Sequence, residues 1–425
     1  MGSIKYIAKS ISEQSTSSRW FATNGDINLN AGKEVAMQSS QKVQYDTYTP
    51  PEKENTDPEV EEIQIKTVLD DGYNDSSTLV KGLVYGKVYA FDAVKFKQGK
   101  APTDLSTIRW GFKYETEQGV VQADFKDGHG KKILVSIEAL AVCGKNLTIY
   151  AYIKNKDGGA SLSTWVHYRF RYFDRAKVKE EINQRLSKNY LINQSSTSLC
   201  GMAAIFYCFL RIDSGSYSNL ALELHQKGTV TLNQYTVKPN SAMYDMQPTA
   251  ENTKYPGSRK YSDGTPINPP RLMPLVDWIV LASTRSSESN LGYTGEDGQD
   301  FSAINWGSVM TKILKDFMGY TTITDNTTLF TGWDHSDTLI QMQKDYQEGY
   351  QVILLIDSDM LDDSVSWAGN LTNWHYIVFE GDLFFDTAAD KYQFSYFTWG
   401  QFFNKKSFRA SVFDSNFYGY YKIKK

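Results

Sequence analysis

Cysteine and histidine are scarce in this chain. Three cysteines, Cys143, Cys200 and Cys208, and five histidines are spread over 425 residues. Three cysteines cannot build a paired disulfide framework, and the absence of any CxxC or Cys/His cluster speaks against a structural zinc site. No motif implies another metal or a cofactor. Long apolar runs are also missing. The longest, Met202–Leu210 and Val352–Ile356, fall far short of a membrane span. The N-terminus has no basic region followed by an apolar stretch, so no secretory signal peptide is expected. An excess of charge of one sign is absent too: 45 Lys and Arg against 49 Asp and Glu leave a net charge of -4. That balance gives no electrostatic footprint for nucleic acid.

What is present is an ordinary globular composition, 41% hydrophobic and 22% charged, with 28 tyrosines raising the aromatic fraction to 14%. High aromatic content favours β-rich regions or a binding surface, and the length suggests two or three domains. Proline marks the organisation. Pro50, Pro51, Pro58 and Pro102 punctuate the first quarter, and the other seven prolines lie between Pro239 and Pro274.

Residues 1–57 are polar. They hold a short strand–turn–strand signal at Asp26–Met37 and then a proline- and carboxylate-rich linker. The first part either docks on another body or frays. Residues 58–173 read as all-β, with strand-like runs at Ile63–Leu69, Leu83–Phe96, Thr107–Tyr114, Val120–Phe125, Lys132–Val142, Leu147–Ile153 and Trp165–Tyr172. Turns are expected at Asp127–Gly130 and Asp157–Gly159. Seven short strands at this spacing predict a sandwich of immunoglobulin-like size, read as a structural or adaptor module. Residues 174–189 are charged and read as a linker helix. Residues 190–425 open with a helix at Cys200–Leu210 and pass through a proline-rich surface insertion, Lys238–Leu272. Helices then follow at Met273–Ser283, Ala303–Phe317 and Asp337–Gln347. The domain closes with strands at Gln351–Ile356, His375–Phe385, Tyr392–Trp399 and Phe417–Ile423. Helices first and an antiparallel sheet last is an α+β order.

The chemistry gathers at two places in this last domain. Cys200 stands where a Ser/Thr-rich turn meets an apolar helix, and the free N–H groups of a helix N-terminus favour a thiolate. Gly201 lets a substrate backbone approach. Gln194, six residues upstream, is a candidate donor to an oxyanion. Cys208, two turns further along the same apolar helix, reads as core. The second place is Asn373–Gly381, where His375 heads a strand and is the natural general base for a nucleophilic cysteine. The other histidines are weaker candidates: His129 in a glycine turn, His167 in the sandwich, His225 on a helix face and His335 in an Asp-rich loop.

Gln194, then Cys200-Gly201 on a helix, then a strand pair ending in His375, then Trp399-Gly400, resembles a papain-like cysteine peptidase. The stretch from Gly349 to Gly381 is similar to the end of bacterial double-glycine-type peptidase domains. The resemblance covers about 235 residues. It implies a papain-like fold in which Cys200 attacks a carbonyl carbon, His375 takes and returns the proton, and Gln194 with the Cys200 N–H holds the oxyanion. The pattern departs at one point. Alignment on Trp399-Gly400 puts Phe397 where the family has an Asn or Asp to orient the histidine. Thr398, Asp386 and Asp390 remain as substitutes.

The whole chain also resembles polymorphic-toxin or type VI secretion effectors, particularly those of Bacteroidetes. The segment Asn24–Val35 is similar to extensions that cap secretion spikes. This second resemblance implies synthesis in the bacterial cytoplasm and export without a cleavable signal. It also implies a peptide substrate in protein or peptidoglycan, a cognate immunity protein and a secretion-spike partner. Two other readings stand beside the amide hydrolase: a glutamine deamidase or acyltransferase on the same fold, and a non-catalytic binding or spike component.

Overall fold

Period-two alternation of buried and exposed side chains builds the first half of the molecule. The computed structural model describes residues 58–74, 77–289, 292–299, 307–328, 330–364 and 373–425; these lie in one unit beginning at Pro58. The strand–turn–strand signal at Asp26–Met37, the segment Asn24–Val35 and the start of the helix expected at Ala303–Phe317 fall outside the described residues.

Nine strands follow Pro58: β1 (Val60–Ile65), β2 (Asp70–Tyr73), β3 (Leu79–Val84), β4 (Val88–Phe96), β5 (Arg109–Thr116), β6 (Gly119–His129), β7 (Lys132–Ser136), β8 (Lys145–Tyr152) and β9 (Ala160–His167). They form a three-stranded sheet, β1-β4-β7, and a six-stranded sheet, β2-β3-β9-β8-β5-β6. Val60, Ile63 and Phe91 of the first share one core with Trp110, Ile149 and Val166 of the second. Three strands against six, with β3 and β9 running parallel, differs from the seven-stranded immunoglobulin-like arrangement expected. The parallel pair is possible because most of the sandwich separates the two strands in sequence and serves as their crossover. The first strand also starts three residues early. Glu59 pins it by accepting the N–H groups of Ile153, Lys154 and Asn155 at 2.7–2.9 Å. Asp127–His129 lies inside β6 rather than in a turn, because a register irregularity between Arg109 and Gly111 lets the strand continue.

The helix expected as a linker forms, as α1 (Arg175–Ser187), capped by the Asp174 carboxylate on Ala176 N and Lys177 N. It is not a tether. Val178, Glu181, Ile182 and Arg185 are buried at the spacing of one helix face. Two of those four are charged, which is why the sequence reads as solvated. In the fold Arg185 forms a bidentate ion pair with fully buried Asp277 at 2.7 and 2.5 Å, and Glu181 accepts Val276 N–H at 2.9 Å.

Beyond α1 come α2 (Cys200–Ile212) and α3 (Ser214–Lys227). Two hairpins follow, β10 (Val230–Leu232) with β11 (Tyr235–Val237), and β12 (Gly257–Lys260) with β13 (Pro266–Leu272). The second hairpin lies in the proline-rich insertion. Met243 and Tyr255 of that insertion are buried in the main core beside Trp278, so this part is fixed rather than a free surface loop. Continuous helical turns cover 275–287 and 307–317, each with a π segment. No helix among the described residues is long and apolar enough to cross a membrane.

The closing sheet is antiparallel: β14 (Thr322–Asp325), β15 (Gln351–Asp357), β16 (Trp374–Phe379), β17 (Phe384–Asp386), β18 (Lys391–Thr398), β19 (Gln401–Arg409) and β20 (Phe417–Lys424). Its order is β14-β20-β15-β16-β18, with β17 and β19 both paired to β18. One face, including Ile353, Leu355, Val378 and Phe397, packs in the same core as α2. The other, including Val352, Leu354, Ile377 and Phe394, packs with Leu339 and Met342 of the helix Ser336–Gln347. β15 is buried on both faces, which explains its unbroken apolar run. The result is mixed α+β content with the sheet last. The single strand expected at His375–Phe385 is two, and β14, β19 and the helix Ala410–Asn416 carry no clear period in the sequence.

Candidate functional site

The site is built where two antiparallel strands part. β16 and β18 pair only at Val378–Phe397 and Phe379–Tyr396. Trp374 to Ile377 of β16 are paired with β15 on the other side, and α2 packs against β16. Cys200 is the first residue of α2. The backbone N–H groups of Tyr376, Gly201 and Cys200 itself favour the thiolate, against the burial that disfavours it. Tyr376 directly follows His375, so the first turn of α2 packs on the strand that carries the histidine, on the face of Tyr376 and Val378, while strand alternation puts the His375 ring on the other face, with Thr398.

His375 is held on two sides. Its Nε2 lies 2.6 Å from Thr398 Oγ1, and the Trp399 ring stacks on the imidazole at 4.4 Å between centroids and 24° between planes. Phe397 occupies the position aligned with the family's Asn or Asp, and it does different work. It stacks flat on Tyr207 of α2, 3.9 Å away and 4° from parallel. Successive strand residues point to opposite faces, so the next residue, Thr398, is the one directed at His375. Asp386 and Asp390 sit at the β17–β18 turn, where Asp386 accepts Ala389 N–H and Asp390 has φ +52. Of the three substitutes, Thr398 is the one in contact with the ring.

Trp399 adopts φ +46 and Gly400 φ +72, as the two central residues of a tight hairpin between β18 and β19. Two positive φ values are the type I′ pattern, in which Asn or Asp followed by Gly is usual. A tryptophan in that conformation is strained, and here the strain lays its ring over His375.

Electrostatically the site is closed and neutral. Burial pushes the Cys200 thiol up to about 11, with the three N–H groups pulling the other way. Burial alone drives the imidazole of His375 down to about 3. Among the described residues the thiol makes no hydrogen bond to a ring nitrogen. A thiol and a neutral imidazole are therefore the forms this burial favours.

Gln194 is buried in the loop before α2. Its Nε2 donates to Thr197 O at 2.8 Å, while Thr197 Oγ1 donates back to Gln194 O at 2.6 Å. The amide is folded over its own loop with one donor committed. Cys208 is completely buried, its thiol pushed up by burial, and Gln351 Nε2 donates to its carbonyl. His225 is not on an open helix face: its Nε2 bonds Phe173 O at 2.7 Å and its Nδ1 lies 3.3 Å from Arg175. His167 bonds Tyr73 O, and His335 is buried against Trp333 and Phe417. Among the described residues no group of three or more His, Cys, Asp or Glu side chains is placed to hold a metal ion.

Sequence reasoning missed Asp277 and Asn193, which brace this site. A buried acid inside an apolar helix, as in Leu275–Trp278, is the signal that marks the first. Comparison with protein-family models, with curated proteins and with solved structures gives no match.

Proposed function

We propose that the region following the sandwich is a cysteine hydrolase of papain-like architecture that cleaves an amide bond through a thioester acyl-enzyme. Cys200 is the nucleophile, His375 the base and then the acid, and Thr398 the group that orients the imidazole. One observation carries the reading: the cysteine at a helix N-terminus faces the strand whose histidine is bonded by the neighbouring strand and covered by a tryptophan. The imidazole must protonate at both nitrogens during the reaction, and Thr398 Oγ1 accepts from Nε2–H in that form. The committed N–H of Gln194 fixes the amide, and its other N–H is the donor an oxyanion would take. Attack forms the C–S bond, the proton returns from His375 to the leaving amine, and water then breaks the thioester.

The closed, neutral resting site supports an enzyme opened by its substrate rather than one constantly reactive. The secreted-effector context, the immunity protein and the spike partner are part of the proposal and rest on the sequence resemblance. The test is labelling of the full chain with iodoacetamide near neutral pH, with peptide mapping. Labelling at Cys200 that falls at least tenfold in His375→Ala, with Cys208 unlabelled, is the expected result. Equal labelling of parent and His375→Ala sinks the reading. With a peptide or peptidoglycan substrate in hand, a mass gain of about one unit on a glutamine without cleavage identifies a deamidase instead.

A further inference from the structure

We infer that Asn193 is a positioning residue of the candidate site, tying the loop that carries Gln194 and Cys200 to the turn that covers His375. The inference rests on the cysteine-hydrolase reading above.

Three contacts define its place. Its backbone N–H donates to Asp277 Oδ2 at 2.9 Å, and Asp277 is itself clamped by Arg185 of α1. Its side-chain Oδ1 accepts the N–H of Ser195 at 2.8 Å. Ser195 has φ +56, so the loop reverses immediately after Gln194. Its side chain also lies flat against Gly400: a Cβ added there would come within 2.9 Å of Asn193 Nδ2 and 3.0 Å of its Cβ. The residue before Gly400 is Trp399, stacked on His375, and the one before that is Thr398, bonded to it. A continuous line of contacts therefore runs from α1 through Arg185, Asp277 and Asn193 to the covering turn.

The position matters because α2 does not fix its own start. Leu199 stands at the N-cap and supplies no capping side chain, so the first turn of the helix, with Cys200 in it, takes its placement from the loop before it. Cys200 and His375 arrive on separate elements with no hydrogen bond between them, and a displacement of about 1 Å between reacting groups can change a rate a hundredfold. Asn193 touches both the loop that leads into Cys200, through Ser195, and the turn that covers His375, through Gly400.

The experiment is iodoacetamide labelling of Cys200 from pH 6 to 10 in the full chain. The variants are Asn193→Ala, Asn193→Asp and Gly400→Ala, each with and without His375→Ala, and circular dichroism checks each fold. In Asn193→Ala and Gly400→Ala the neutral-pH rate is expected to fall at least tenfold, and adding His375→Ala changes it no further. Asn193→Asp keeps the acceptor for Ser195 N–H and restores the rate to within threefold of the parent. Gly400→Ala presses on the same contact from the other side, so it carries the test if Asn193→Ala does not fold. Retention of the parent's His375-dependent pH profile in the folded variants overturns the inference. A parent rate that does not depend on His375 overturns the hydrolase reading on which it rests, and the two failures are distinguishable.

Discussion

Replacing Thr398 with valine isolates what the orienting hydroxyl contributes. Valine keeps the shape, so Thr398→Val, at a site 2% exposed, removes only the partner 2.6 Å from His375 Nε2. The ring nitrogen is then buried without a hydrogen bond, which costs about 1–3 kcal/mol. That cost falls on the ring orientation the reaction needs. At about 1.4 kcal/mol per tenfold, labelling of Cys200 by iodoacetamide near pH 7.5 should drop between about fivefold and about a hundredfold. The pH dependence sharpens the test. The thiol is pushed up to about 11, so under the proposed mechanism its ionisation at neutral pH depends on His375. As pH approaches that value the sulfur ionises without help, and the difference between variant and parent should shrink toward nothing. A Thr398→Val protein that matches the parent at neutral pH refutes the orienting role. A rate ratio that stays constant up to pH 10.5 means the hydroxyl acts on the fold and not on the proton transfer.

Other predictions test the scaffold. Arg185→Met leaves the Asp277 charge buried and unpaired, so urea unfolding should show a loss of about 3–5 kcal/mol, and adding Asp277→Leu should recover most of it. A fragment starting at residue 190 lacks Arg185, Val178 and Ile182 and should fail to give a cooperative transition, whereas the chain from Pro58 should give one. Trp399→Asn suits the positive φ and uncovers His375, so the imidazole value, held near 3 by burial alone, should rise toward 6.5 in an NMR titration. His375 and His225 are both depressed to about 3 in the fold from an ordinary 6.5. Between those values the unfolded chain binds protons that the folded chain does not, so stability is full above pH 6.5 and falls as pH drops toward 3. The slope is up to about 1.4 kcal/mol per pH unit for each histidine. Denaturation at pH 7.0 and 5.0 reads it, and His225→Phe should remove that residue's share of the slope and leave the share of His375.

Much of the second half was legible because its elements carry strong periods. The apolar run from Met202 to Leu210 and the run at Val352–Ile356 could be placed from the sequence, since a helix and a doubly buried strand each leave a continuous signature. β19 was not legible: Gln401–Arg409 is largely exposed, held by pairing with β18 and not by its own apolar face. α1 misled for the opposite reason: Arg185 is buried in an ion pair and Glu181 against a backbone N–H, and composition cannot distinguish such charges from solvated ones.

The sequence by itself marked the two residues on which the proposed chemistry rests. One cysteine opens an apolar helix, one histidine heads a strand, and local pattern is enough to find both. Only the tertiary structure decided what surrounds them. The choice of Thr398 over Phe397 follows from strand parity, since adjacent side chains face opposite sides of the sheet. The bracing by Asn193, Asp277 and Arg185 joins residues 84 and 92 positions apart, a separation that no local period encodes. The neutral resting pair is a consequence of burial, which exists only once the chain has closed around the site.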